Sequence, residues 1–428
     1  MPLFTLILIL FFVIIYFGLN QTKSISILKM SLWLVISYSF LLLTHLFSGI
    51  TYYVGSITRI LPYFLLCLIL ILIGDHLGKK VRTSSRVKFF KVKLMNLTYA
   101  SIFGSFLLLF DILRLNGIFF GTRIDDFKIS IIGVLGNMLA SLGLIAWLTS
   151  LYENRINMKK ISSFSYLAIL AYVAGGVLSA GRQAIILIIL SSVILMIWSA
   201  RKRKELKLVK KKNKPWGILV IIILFVSYFL FISFVRSGIF DINNKISSLE
   251  KGFNAKVSDE TLKDVYQIEP LSDIYIESLF YYSHQLTRLD LLYQNYDYHP
   301  LFGLSQLSYF ERRLQFLLGK QNEDSWKEVE IALDQKGRFG SHTWGTFISN
   351  YIIDFGRLGT LLVCFLTGFL IGIFYRTLKY NETSERIVRR CILLAGVVFS
   401  IQFSPLSELI WFFPLVISSF IKIKTKLE

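Results

Sequence analysis

The chain has 428 residues, 54% of them hydrophobic and 37 of them Phe, and its 47 Lys+Arg outnumber 27 Asp+Glu for a formal charge of +20. With a mean hydropathy of +0.60 and basic residues that fall between apolar runs, composition excludes a soluble domain with a cationic nucleic-acid-binding patch. Cys67, Cys364 and Cys391 all lie inside apolar runs with no CxxC spacing, which excludes a disulfide framework and a cysteine metal site.

Residues 1–19 lack a basic n-region and a small-x-small cleavage site and read as an uncleaved helix. Apolar segments long enough for about 30 Å of hydrocarbon follow near 30–48, 59–77, 95–115, 129–150, 163–180, 183–199, 215–235 and 357–375. The stretch from Cys391 to Ile421 is too long for one upright helix at about 1.5 Å per residue. Ser404-Pro405-Leu406-Ser407-Glu408 interrupts it, so two short crossings are expected there. The sum is about eleven transmembrane helices in an all-α polytopic integral membrane protein.

Nine Lys/Arg fall within Arg201–Lys214, and such a block between apolar runs marks a cytoplasmic loop. Lys23/Lys29, the Lys79–Lys93 cluster, Arg155/Lys159/Lys160, Arg376–Arg390 and the tail Lys422/Lys424/Lys426 alternate with less basic loops. Setting every basic loop inside gives an external N-terminus and a cytoplasmic C-terminus. The chain then divides into an N-terminal bundle of about eight helices (1–235), a large external loop (236–345) and C-terminal transmembrane helices (346–428).

A loop of about a hundred residues is far longer than an ordinary connection, and such loops are functional or disordered. Its first part, Asp241–Glu269, is polar and lysine-rich and is expected to be mobile. Beyond Ile276, Leu279, Tyr282, Leu286, Leu289 and Tyr293 recur at helical spacing, as do Leu307, Phe310, Leu314 and Leu317. These amphipathic helices would rest their apolar faces on lipid or on the bundle and roof a site at the outer surface. No internal repeat or low-complexity tract is visible.

Arg182, in Ser179-Ala180-Gly181-Arg182, stands at an external turn where a helix N-terminus and a guanidinium together suit phosphate; headgroup anchoring would use the same residue. His284 and Arg288 are four apart on the polar side of the first loop helix and project together, and Arg312 and Arg313 form a similar pair on the second. Phosphate or sugar recognition fits both pairs, and so does a solvated helix face. Asp354 and Arg357 lie where the chain re-enters the membrane, at a spacing that allows them to pair, and charges at that boundary often mark function. His342 is a possible general base. Gly368 and Gly372 form a GxxxG for close helix packing, and Asp111 with Arg114 reads as a structural pair.

Ser179-Ala180-Gly181-Arg182 opening a helix, the large external loop, and the segment from His342 through Asp354-Phe355-Gly356-x-x-Gly359 to Arg376 resemble the Wzy-type polymerases of bacterial O-antigen and related repeat-unit polysaccharides. The resemblance covers the architecture of the chain but only about fifty residues of motif. It implies a GT-C-like glycosyltransferase of the bacterial cytoplasmic (inner) membrane, acting at the external face. Its substrate would be undecaprenyl-pyrophosphate-linked oligosaccharide, and its product a longer glycan for lipopolysaccharide. No metal or other cofactor and no nucleic acid would take part, and partners would be membrane lipid and a chain-length regulator. On this reading Arg182 and Arg288 hold pyrophosphate with Arg312 or Arg313 as alternates, His284 and Arg357 support binding, and Asp354 or His342 orients or deprotonates the acceptor. An O-antigen ligase is the closer enzymatic alternative, but the related ligases carry a His followed by Asn, Ser or Gln, whereas His342 precedes Thr343, which argues against it. A flippase for lipid-linked oligosaccharide is the competing class, although transporters favour repeats, broken helices and short loops.

Overall fold

The apolar stretches become helices because, in hydrocarbon, only internal hydrogen bonds can satisfy the backbone. A computed structural model describes residues 27–81, 90–116, 130–159, 161, 163–178, 183–207, 242–267, 272–295, 300–306, 346–380, 382–401 and 409–424. In chain order the elements are α1 (Met30–Phe47), β1 (Ile50–Tyr52), α2 (Ile57–Gly78), β2 (Phe90–Lys93), α3 (Leu94–Asn116), α4 (Ile131–Ile156), α5 (Ser163–Leu178) and α6 (Gln183–Glu205). They continue with α7 (Ile242–Phe253), β3 (Ala255–Val257), α8 (Asp259–Gln267), α9 (Ser272–Ser283), α10 (Gln285–Gln294), α11 (Phe347–Tyr380), α12 (Ser384–Phe399), α13 (Leu409–Phe420) and β4 (Ile421–Lys424). Six helices among the described residues, namely α1 to α4, α6 and α11, are long and apolar enough to cross a membrane. The expected helices at 2–19 and 215–235 lie outside the described residues.

Helices in lipid gain nothing from burying apolar side chains against one another, so small residues that admit close backbone contact decide which helices pair. The α2–α11 pair shows this from both sides. A Cβ on Gly368 would stand 2.0 Å from the Ile71 carbonyl oxygen and one on Gly372 2.3 Å from that of Asp75. Reciprocally, Gly74 faces the Phe365 carbonyl oxygen at 2.2 Å and Gly78 that of Phe369 at 2.1 Å. The GxxxG seen in the sequence therefore meets a second one, Gly74-xxx-Gly78, and because residue numbers rise together the helices run parallel. The Cys67 and Cys364 thiols meet across the same seam. Copper–phenanthroline treatment of membranes should join them, so that fragments cut between α2 and α11 stay linked until reductant is added. A Cys67→Ser variant should abolish the link, and an unlinked wild type would contradict this packing.

The basic segments gather at one end of the bundle. Arg376 donates to the Lys79 carbonyl at 3.1 Å, Arg386 to that of Thr377 at 2.8 Å, and Arg390 to that of Leu28 at 2.8 Å, while Lys202 pairs with Glu382 at 2.5 Å. The α12–α13 region contains two helices, as the polar break at 404–408 suggested, and the break itself lies outside the described residues. A parallel ladder of β2 with β4 ties the start of α3 to the end of α13.

The opposite end carries α7 to α10. Asp241–Glu269 was expected to be mobile; its described part instead folds on a small core of its own. Ile246, Phe253, Ala255, Val257 and Val265 pack with Ile50, Ile276 and Phe280, and β3 pairs antiparallel with β1 from the α1–α2 connection. The Ile242, Ile246, Leu249, Phe253 stripe of α7 supplies the helical face that the polar average concealed. The 279–293 segment spans the end of α9 and α10, with His284 between them helical in φ and ψ and accepting the Arg288 N–H at 2.9 Å. Its Leu286, Leu289 and Leu292 join the main core, so α10 is docked on the bundle. Asp111 is buried at this end and holds both Arg114, at 3.0 Å, and the backbone N–H of Ser130 that starts α4, at 2.7 Å.

Candidate functional site

Phe347 opens a short helix within the thickness of the bundle. Its N–H donates to the Ser400 carbonyl at 3.0 Å, and the Tyr38 hydroxyl, from the middle of α1, donates to the same carbonyl at 3.2 Å. The Thr346 hydroxyl accepts from the Ser349 N–H at 3.4 Å and so serves one of the free donors at the helix start. The helix breaks at Gly356, whose φ of 70° and ψ of 178° are strained for any side-chain-bearing residue. Tyr351 and Thr367 then meet at 3.0 Å although they are 16 residues apart, a distance of about 24 Å on a straight helix. The first segment of α11, Phe347–Phe355, therefore folds back beside the second.

The carbonyls that this segment leaves unpaired at its end receive the 300–306 turn. Leu301 donates to the Ile353 carbonyl at 3.3 Å and Phe302 to that of Asp354 at 2.9 Å. The Asp354 carboxylate, fully buried, accepts the Ser305 N–H at 2.9 Å on one oxygen and the Ser305 hydroxyl at 2.7 Å on the other. Both oxygens thus hold the turn against the helix.

Arg357 goes elsewhere. The expected Asp354–Arg357 pair is absent because the break at Gly356 destroys the helical spacing that would bring the two together. Arg357 instead donates to the Gln294 carbonyl at 3.3 Å and lies over the Tyr293 ring at 4.8 Å, a cation–π contact. Tyr63 packs its ring on Tyr293 at 4.7 Å and donates its hydroxyl to the Arg357 carbonyl at 2.7 Å. Gln294 in turn donates to Asp290 at 2.5 Å, and the same Asp290 oxygen accepts the Ser56 N–H that leads into α2 at 2.7 Å. Among the described residues, the second Asp290 oxygen and the Arg357 Nε are buried without a hydrogen-bond partner.

His284 and Arg288 do not share a solvated face. His284 is 0% and Arg288 6% exposed, because Leu286, Leu289 and Leu292 dock α10 on the main core. The His284 Nδ1 lies 2.6 Å from the Phe280 carbonyl oxygen and its ring 4.8 Å from that of Phe253. Beside it, Tyr52 shares a 2.6 Å hydrogen bond with the Ser283 hydroxyl, and burial raises its phenol pKa so that it stays neutral. One network thus contains Asp290, Gln294, Arg357, Tyr293 and Tyr63, with Asp354 holding the adjoining turn and Arg288 buried on the same helix as Asp290. His342, Arg182, Arg312 and Arg313 lie outside the described residues.

The sequence reading missed Ser305, Asp290 and Tyr63, and placed Tyr293 only on an apolar helix face. Their only local sign was the helical spacing of Asp290 and Gln294; the rest depends on contacts between distant segments. Among the described residues no group of three or more His, Cys, Asp or Glu could hold a metal ion. No protein-family model, no curated protein and no solved structure matches the chain.

Proposed function

We propose that the chain is a membrane-embedded repeat-unit polymerase of the bacterial cytoplasmic membrane, with the basic end inside and the α7–α10 cap outside. The resemblance of its motifs to Wzy-type polymerases supports this reading, and one structural observation carries it furthest: α10, which buries Arg288, also holds the α11 residue Arg357 through the Gln294 carbonyl and the Tyr293 ring, at the end opposite the basic segments. A departing pyrophosphate concentrates negative charge on its oxygens, and fixed guanidinium donors in a partly dry layer stabilise such charge strongly. The hydroxyl of the acceptor sugar would attack the anomeric carbon of the donor, the bond to pyrophosphate would break with its electron pair, and the hydroxyl proton would pass to a base. Undecaprenyl pyrophosphate leaves with the full pyrophosphate charge.

On this reading Asp354 positions and does not react, since both of its oxygens are engaged by Ser305. His342, four residues before Thr346 in sequence, remains the proposed base. A chain-length regulator and membrane lipid are the proposed partners. Arg357→Lys keeps the charge but loses the planar stack on Tyr293 and the fixed fork. At normal protein levels it should reduce polymer about tenfold, in line with the loss of a charge-assisted contact; a Lys variant making full-length polymer would remove Arg357 from the site.

The break at Gly356 and the helix start beside Ser400 also favour a second reading, transport of lipid-linked oligosaccharide, because broken helices inside the span are common in transporters. Deleting the gene separates the two. A polymerase defect leaves single repeat units on the final acceptor, visible as one short band on a gel. Complete loss of glycan from the acceptor would favour transport and overturn the polymerase.

A further inference from the structure

The β2–β4 ladder brings like charges side by side. Its register sets Lys91 opposite Lys422 and Lys93 opposite Lys424, with Val92 opposite Ile423 on the alternate face. Ile421 and Ile423 are buried in the main core with Val92 packed against it, so alternation sends Lys91, Lys93 and Lys422 outward. Lys91, Lys93 and Lys422 are exposed. Adjacent strands are about 4.8 Å apart, and residues two along a strand about 6.6 Å apart. Like charges directly opposite one another destabilise a ladder. Among the described residues no carboxylate lies within ion-pair distance of these three lysines, and the nearby Glu385 is taken by the Ile423 N–H at 2.9 Å. A short ladder that sets cation against cation is unfavourable until an anion joins it.

Its place identifies the anion. β2 runs directly into α3 and β4 follows directly from α13, so Lys91, Lys93 and Lys422 stand within three residues of two apolar helix ends, at headgroup depth. Phe90, on the other face and 72% exposed, suits the same interface. We propose that this face binds the phosphates of anionic phospholipid headgroups and that a bound lipid clamps the N-terminal half of the bundle to its C-terminal strand. The proposal is independent of the polymerase reading. A membrane surface is favoured over a soluble polyanion because a juxtamembrane cationic cluster lies inside the surface potential of an anionic leaflet.

The test uses the full chain in nanodiscs of phosphatidylcholine, alone or mixed with an equal amount of phosphatidylglycerol. Native mass spectrometry should show phosphatidylglycerol retained in preference to phosphatidylcholine. The triple variant Lys91→Gln, Lys93→Gln, Lys422→Gln should lose retention by about fivefold for each lysine removed, whereas the triple Arg variant should keep it. Equal retention by wild type and Gln variant, or no preference for phosphatidylglycerol, overturns the proposal. Displacement of the lipid by an oligonucleotide at equal phosphate concentration also overturns it, in favour of a soluble polyanion. If the Gln variant does not fold, acylation of wild-type lysines decides: Lys91 and Lys422 should be protected in the anionic discs relative to the neutral ones, and equal modification refutes the site.

Discussion

Gly368→Leu should leave no folded protein. Even a Cβ at this position would lie 2.0 Å from the Ile71 carbonyl oxygen, and backbone cannot move aside as a flexible side chain can. The helices would have to part, and the contacts at Gly372, Gly74 and Gly78 would open with them. In lipid that loss has no hydrophobic compensation, because separated helices are solvated by acyl chains as well as by each other. Overpacking a core typically costs about 1–3 kcal/mol; four coupled backbone contacts place this substitution at or beyond the whole marginal stability of a domain, about 5–15 kcal/mol. Size-exclusion chromatography of a fluorescent fusion should show aggregate or no peak. Gly252→Leu is the control, since a Cβ there meets nothing within 4 Å, and it should elute as wild type. A monodisperse Gly368→Leu protein would mean that α2 and α11 do not pack through their glycines.

Asp354→Ala should be the most damaging polar substitution. It removes the acceptor of the Ser305 N–H, which stays buried, and leaves the Ser305 hydroxyl only the Asn350 carbonyl at 3.2 Å. A buried donor left without a partner costs about 1–3 kcal/mol. The 300–306 turn would detach from the end of the Phe347–Phe355 segment, and the thermal midpoint in detergent should fall by several degrees, following about 2–4 °C per kcal/mol for domains of 150–250 residues. Asp354→Asn retains an acceptor for the Ser305 N–H, and its amide can donate to the hydroxyl oxygen. It should therefore keep most of the stability and stay within about tenfold of wild-type polymer formation. A stable Asn variant with no activity would show instead that the carboxylate takes a proton.

The helices were legible wherever their cause is local. Segments such as Met30–Phe47 and Ile57–Gly78 declare themselves by length and apolarity alone, and the basic runs that interrupt them gather at one end. Asp354 and Arg357 were legible as unusual charges at a membrane boundary. Their partners were not, because Ser305 and Gln294 are 49 and 63 residues away and no periodicity connects them. The small core built on Ile246 and Val265 was hidden for a related reason: its strand partner, β1, belongs to the short connection between α1 and α2.

By itself the amino-acid sequence determined the long apolar helices among the described residues, since the need of buried backbone for internal hydrogen bonds acts within each segment. It also showed one half of the glycine seam. Tertiary structure alone decided that Gly74 and Gly78 meet Gly368 and Gly372, that Gly356 folds a half-helix back into the bundle, and that α10 buries His284 and Arg288. The physical reason is the same in each case. A backbone contact, a turn that caps a helix, or a ladder of two strands acquires its energy only when residues far apart in the chain are brought within a few ångströms, and nothing in either segment taken alone specifies its partner.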